Sequence, residues 1–200
     1  MTDWIVQSIA YGGYGGIFLL MVLENIFPPI PSELIMGLGG IAVAQGEMQF
    51  WALLLAGTVG STVGNYAWYL VGRRLGYAQL KPIVDRYGRW LTLDWTDVEA
   101  MADFFQRHGH WIVFTVRFMP MMRTMISLPA GLARMGRVSF LIYTALGTSI
   151  WNGLLIGGGY FLGTHFQTEL DRFLGPIVIG SAITIGVAYV WRILRWQPRA

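Results

Sequence analysis

Four stretches of the chain run for about the length of a bilayer-spanning helix without a formal charge: residues 4–23, 48–72, 138–168 and 173–191. A hydrocarbon core of roughly 30 Å needs about 20 helical residues, so each predicts a transmembrane helix. Two shorter apolar stretches, 26–46 and 111–133, have an interrupted pattern. The first carries Pro28, Pro29 and Pro31 near its start and Gly37, Gly39 and Gly40 in its middle; the second carries Pro120 and Pro129 and ends in Gly131. Proline removes a backbone donor and clashes with the preceding turn. Broken backbone at membrane depth survives only where it is buried in protein or lines a wet cavity. The expectation is two re-entrant hairpins, broken at Pro28, Pro29 and Pro31 and at Pro120.

Residues 73–107 are of another kind and hold 11 of the 25 charges. Thr96 with Glu99 three residues on has the pattern of a capping box ahead of Val98, Met101, Phe104 and Phe105. It predicts an amphipathic helix at the membrane surface that stops near Gly109; residues 73–93 read equally well as a solvated connector.

Composition turns this pattern into a class. Hydrophobic residues make up 54% and charged residues 12% of the 200 positions, against about 25% charged in soluble domains. Mean hydropathy is +0.51. The reading is an all-α polytopic membrane protein with about four transmembrane helices. There is no cysteine, which excludes disulfides, zinc-thiolate sites and thiol nucleophiles. No Lys/Arg run is interleaved with aromatics, so nucleic acid is not an expected partner. The N-terminal apolar run has neither a basic leader nor a small-x-small cleavage site and reads as retained. Glycines at helical spacing (Gly12/Gly16, Gly60/Gly64, Gly153/Gly157, Gly159/Gly163) predict close helix packing.

Basic residues set an orientation. With 73–107, 134–137 and 192–199 on the cytoplasmic side, that side collects 11 of the 14 Lys/Arg, and the opposite loops hold only Arg172. Both termini are then cytoplasmic, and the hairpins enter from opposite faces. At an offset of 90 residues Gly46 to Phe50 matches Gly136 to Phe140, Gly57-Thr58 matches Gly147-Thr148, and Glu33 falls on Arg123, which suggests an inverted repeat of the kind seen in secondary transporters. The expected organisation is one membrane domain over 1–200: hairpin plus span over 26–72, a cytoplasmic amphipathic connector over 73–110, hairpin plus span over 111–163, and a C-terminal span over 174–196.

Four ionisable residues lie in the broken segments. Glu24 and Glu33 flank the first proline cluster, and Arg117 and Arg123 flank Pro120. A charge at the bilayer centre costs about 2.5–3.5 kcal/mol on insertion scales, so each implies a partner, a wet cavity or a function. Two buried ion pairs that hold the hairpins together would be one account. The functional account rests on chemistry: guanidinium donors match phosphate oxygens bidentately, and carboxylates in a partly dry cavity have raised pKa values and can load and release protons. Arg117 and Arg123 are therefore the candidate phosphate ligands, and Glu24 and Glu33 the candidate proton carriers. An enzyme finds less support. His108-x-His110 lacks further metal ligands, no nucleophile, histidine and acid set has a local signature, and no cofactor or metal is expected. An acid-base role for Glu24 and Glu33 on a lipid-linked phosphate stays open.

These residues resemble the DedA family, also called SNARE-associated Golgi or VTT-domain proteins. The resemblance is carried by Glu24 with Phe27-Pro28-Pro29-Ile30-Pro31-Ser32-Glu33, by Gly57, Gly60, Gly64 and Tyr66 running into Gly72-Arg73 and Gly76, and by Arg117-Phe118-Met119-Pro120-Met121-Met122-Arg123. Ala130-Gly131, Met135 and residues 140–151 extend it, so that it covers about residues 10–165. It implies a bacterial inner-membrane transporter of lipid head groups, with undecaprenyl phosphate and protons as partners; the oligomeric state stays open, a homodimer among the alternatives. It matches the family's acidic pair to Glu24 and Glu33 and its arginine pair to Arg117 and Arg123. An uncoupled phospholipid scramblase is the alternative within the class. Met121-Met122 stand where many relatives have smaller residues, which bears on pocket size.

Overall fold

The computed structural model describes residues 2–26, 32–91, 95–109, 111–119 and 122–165, with isolated residues 180, 184 and 187. The hairpin prolines Pro28, Pro29, Pro31 and Pro120, His110 and most of the fourth expected span lie outside the described residues. Among the described residues all regular structure is helical: α1 Thr2–Ile26, α2 Ser32–Ala44, α3 Phe50–Leu91, α4 Trp95–His108, α5 Trp111–Thr115, a 3₁₀ turn Val116–Phe118, α6 Met122–Met125, α7 Ser127–Leu132 and α8 Arg137–His165. The chain divides into two compact units, residues 1–64 with 148–187 and residues 65–147 with 188–200.

In the first unit α1, α2, the start of α3 and the end of α8 share a core of Ile17, Leu20, Met21, Ile35, Met36, Leu53 and Ile156. The sequence suggested that Gly37, Gly39 and Gly40 break the first segment, but α2 runs through all three as one 13-residue helix. At Gly40 the role is close approach. A Cβ on Gly40 would collide with the carbonyl oxygen of Ile156, one on Gly159 with that of Gly37, and one on Gly163 would lie 2.8 Å from the Ala44 Cβ. Glycine thus lets the α2 and α8 backbones touch. Gly60 and Gly64 do the same for α3 against α1, at Phe18 and Asn25, whereas Gly12 and Gly157 face open space.

In the second unit α7 is wholly buried, with Pro129 in its first turn, where a missing N–H costs nothing. Helix α3 contains the expected span 48–72 from Phe50 onward and continues to Leu91, bending at Gly76 (φ 64°, ψ 179°), a conformation open only to glycine. Gly72 is a contact point inside it, its α-carbon facing the Leu128 carbonyl. Helix α4 buries Trp95, Val98, Ala102 and Phe105 and exposes Phe104, packing with Val84 on Leu128 and Leu132 of α7. It stops at Gly109 (φ 67°), as the sequence suggested. The capping box is not built as expected: the helix starts at Trp95, so Thr96 is already inside it, and the Glu99 carboxylate accepts from Trp95 Nε1 at 2.6 Å.

Three helices expose apolar side chains in rows. On α8 Val138, Ile142, Leu146, Ile150 and Leu154 recur every fourth residue, as do Trp51, Leu55, Val59 and Val63 on α3, with Leu19 and Leu23 on α1. Arg137–His165 is long and apolar enough to cross a membrane, and Gly12–Ile26 and Ser32–Ala44 are shorter apolar helices. Rows of this length facing outward suit hydrocarbon, not water.

Candidate functional site

The second broken segment, 111–133, has irregular backbone among its described residues. Helix α5 tightens into the 3₁₀ turn, Met119 is extended (φ −102°, ψ 109°), and α6 begins after it. Main-chain bonds Met119 N to Val116 O (2.9 Å) and Arg123 N to Met119 O (3.1 Å) hold the bend.

Arg117 is 2% exposed and fills the inside of this bend. Its Nη1 donates to the Arg123 carbonyl oxygen (2.6 Å), and its Nη2 donates to Ser127 Oγ (3.2 Å) and Thr144 Oγ1 (3.0 Å). Ser127 Oγ in turn donates to Asn65 Oδ1 at 2.8 Å. Room for the arginine stem comes from Gly147, where a Cβ would sit 2.8 Å from Arg117 Cγ and 2.9 Å from its Cβ. A planar fork with fixed donors is what such a site needs; an ammonium would not reach three acceptors on different elements in one plane. Arg123, 9% exposed, stands on α6 at the end of the bend.

A second clasp closes the segment. Helix α7 ends with Met135 N bonding Ala130 O (3.1 Å) and Arg134 N bonding Gly131 O (3.0 Å). This pattern places Arg134 in the left-handed region (φ 53°). The freed Met135 carbonyl accepts from the Tyr69 hydroxyl and from Arg73 Nη1 (2.8 Å). Tyr69 stacks on Phe140 with ring centroids 4.4 Å apart.

The acidic pair belongs to the first unit. Glu24 is buried in the last turn of α1, where the Asn25 amide donates both to Glu24 Oε2 and to the Met21 carbonyl (2.8 Å). Glu33 is half-buried in the first turn of α2, after the fully buried Ser32. Asn65, Ser127, Thr144 and Tyr69 were not singled out as site residues by the sequence. Small hydroxyls and amides among apolar neighbours give little signal, and Asn65 and Thr144 become legible only when α3 and α8 are laid out as helices, on whose buried faces they lie.

Helices with outward apolar rows, a buried arginine on broken backbone and glycine-mediated contacts define an all-helical membrane protein. Residues 30–161 match the VTT domain, and the chain belongs to that family, the DedA proteins. It is similar to the "alkaline phosphatase-like protein" of Lactococcus lactis subsp. cremoris (40% identical; 97% of this chain and 91% of the relative). It is also similar to "undecaprenyl phosphate transporter A" of Staphylococcus aureus (33%; 95% and 97%) and of Bacillus subtilis (32%; 89% and 87%). A bacterial membrane is its location. No solved structure matches the chain.

Proposed function

We propose that the protein translocates an anionic lipid head group, undecaprenyl phosphate foremost, across the bacterial inner membrane in a proton-coupled cycle, and that it is not an enzyme. The observation that carries this reading is Arg117. A guanidinium buried at 2% exposure on broken backbone is an expensive device in a membrane, and here it shapes the loop that presents Arg123. Arg117 and Arg123 form the phosphate side of the site. Because the Arg117 fork is engaged by Arg123 O, Ser127 and Thr144, the first contact with phosphate falls to Arg123. Glu24 and Glu33 carry protons. The names of the Staphylococcus and Bacillus relatives support the substrate.

In this reading the chain is a single domain with re-entrant segments at 26–46 and 111–133 entering from opposite faces. Four spans cross the membrane, the connector is cytoplasmic, as are both termini, and a homodimer is the assembly to look for. The name of the Lactococcus relative favours a second reading, a membrane enzyme that cleaves a lipid-linked phosphate. Purified protein in liposomes with labelled undecaprenyl phosphate separates the cases. A coupled transporter moves the intact lipid faster with an imposed proton gradient, an uncoupled scramblase moves it equally without one, and an enzyme releases inorganic phosphate.

A further inference from the structure

Within the first unit, a set of buried polar atoms has no hydrogen-bond partner among the described residues: Asn152 Nδ2 and Oδ1, Thr58 Oγ1 and Trp151 Nε1. Asn152 is 0% exposed. These groups come from two short stretches that meet. Trp151 and Asn152 are neighbours on α8, Thr58 follows Gly57 on α3, and a Cβ on Gly57 would lie 3.3 Å from Asn152 Nδ2. That same Cβ would overlap the Met36 methyl group, so the Met36 side chain ends at the spot where glycine exposes the amide. Apolar Leu53 and Ile156 belong to the same core.

A buried carboxamide unpaired at both donor and acceptor bears its full desolvation penalty, and an unsatisfied group of this kind calls for a ligand. The pattern selects the ligand's chemistry. An anion would face the Oδ1 lone pairs, and a bare cation would face the Nδ2 hydrogens. Water satisfies both by accepting from one and donating to the other. Methionine is the side chain best suited to cover such a site reversibly, being unbranched with three rotatable bonds. Met36 stands one turn from Glu33 on α2, three residues apart on one helix face.

We infer that Asn152 anchors a water-binding site inside the membrane domain, covered by Met36, and that this water relays protons to the Glu33 face of α2; the relay rests on the proton-coupled reading above. The test uses the full-length protein in liposomes. Water-to-side-chain magnetisation transfer in solid-state NMR with asparagine labelled by ¹⁵N reads the site directly, the Asn152 signal being assigned by its loss in Asn152→Leu. A water contact at Asn152 that strengthens in Met36→Ala is expected; a signal with no water contact in either protein overturns the site.

For the relay, Asn152→Leu removes the orphaned amide and should melt no lower than the wild type, bind undecaprenyl phosphate unchanged and lose at least tenfold in gradient-driven uptake. Asn152→Thr, which keeps a hydroxyl, should recover part of it. A stable Asn152→Leu, or in its absence a stable Asn152→Val, with full uptake overturns the relay. If the wild type moves no undecaprenyl phosphate at all, the transport reading and the relay fall together, while the NMR result still decides the water site.

Discussion

Arg117 Nη1 donates to the main-chain carbonyl oxygen of Arg123, 2.6 Å away, so the second arginine serves the first through its backbone. The two residues therefore respond differently to the same change. Arg117→Lys keeps a charge but forfeits the planar fork, leaving the Arg123 carbonyl, Ser127 and Thr144 short of a donor, at about 1–3 kcal/mol for a buried group left unpaired. Arg123→Lys retains the carbonyl acceptor and should melt close to the wild type. Both should transport poorly if the phosphate reading holds. Equal thermal stability of the two variants would sink the assignment of Arg117 as the loop's anchor.

Arg134 is the one non-glycine residue with positive φ among the described residues. Left-handed backbone costs an ordinary residue about 1–2 kcal/mol, and glycine returns part of that through its greater unfolded-state entropy. Arg134→Gly should therefore raise stability by up to about 1 kcal/mol, read as a higher midpoint in a thermal melt in detergent. A lowered midpoint would show that the exposed Arg134 side chain contributes more than its backbone costs.

Gly40 and Gly131 are points of backbone contact, facing the carbonyls of Ile156 and Tyr69 respectively. Alanine at either has rigid main chain to displace, and overpacking of this kind costs about 1–3 kcal/mol. At Gly57 the first obstacle is the far end of Met36, which can swing away, so Gly57→Ala should be the mildest of the three. Ranking the three melting temperatures checks the prediction.

The proposed orientation makes opposite demands on two exposed positions. A cysteine replacing Glu47 should react with an impermeant maleimide in intact cells, whereas one replacing Arg86 should react only after lysis. Reversed labelling would invert the whole topology.

Proton carriage by Glu24 and Glu33 is separable from charge balance. Glu→Gln preserves shape and removes titration, so a carrier variant should bind lipid, melt normally and fail in gradient-driven uptake. If the carboxylates only neutralise buried guanidinium groups, the same variants should lose about 3–5 kcal/mol of stability. Undiminished uptake by Glu33→Gln at every external pH would leave no proton-carrying role for that residue.

Membrane character, the irregular backbone around Arg117 and the end of α4 at Gly109 were legible in the chain because each depends on local chemistry: run length, a charge in an interrupted apolar stretch, glycine at a stop. The reading of three glycines failed. Gly37, Gly39 and Gly40 read as a break, yet all three sit inside α2, because a glycine such as Gly40 that admits a neighbouring backbone looks the same in sequence as one that bends its own. The Arg117 network was half visible. Its arginine stood out as a charge in an apolar segment, but its acceptors Ser127 and Thr144 lie 10 and 27 residues away and are ordinary residues until the fold brings them together.

The row of apolar side chains on α8 also acts as a ruler. From Val138 to Leu154 it spans ~24 Å at 1.5 Å per residue, and extending it to Leu162 gives ~36 Å, bracketing the ~30 Å hydrocarbon core of an average bilayer. A helix matched in this way resists both thin and thick membranes, at fractions of a kcal/mol per Å. Acyl-chain length thus becomes a control on the protein: reconstituted activity should pass through a maximum at intermediate chain length and fall in short-chain and very-long-chain lipids, with no change in head group at all.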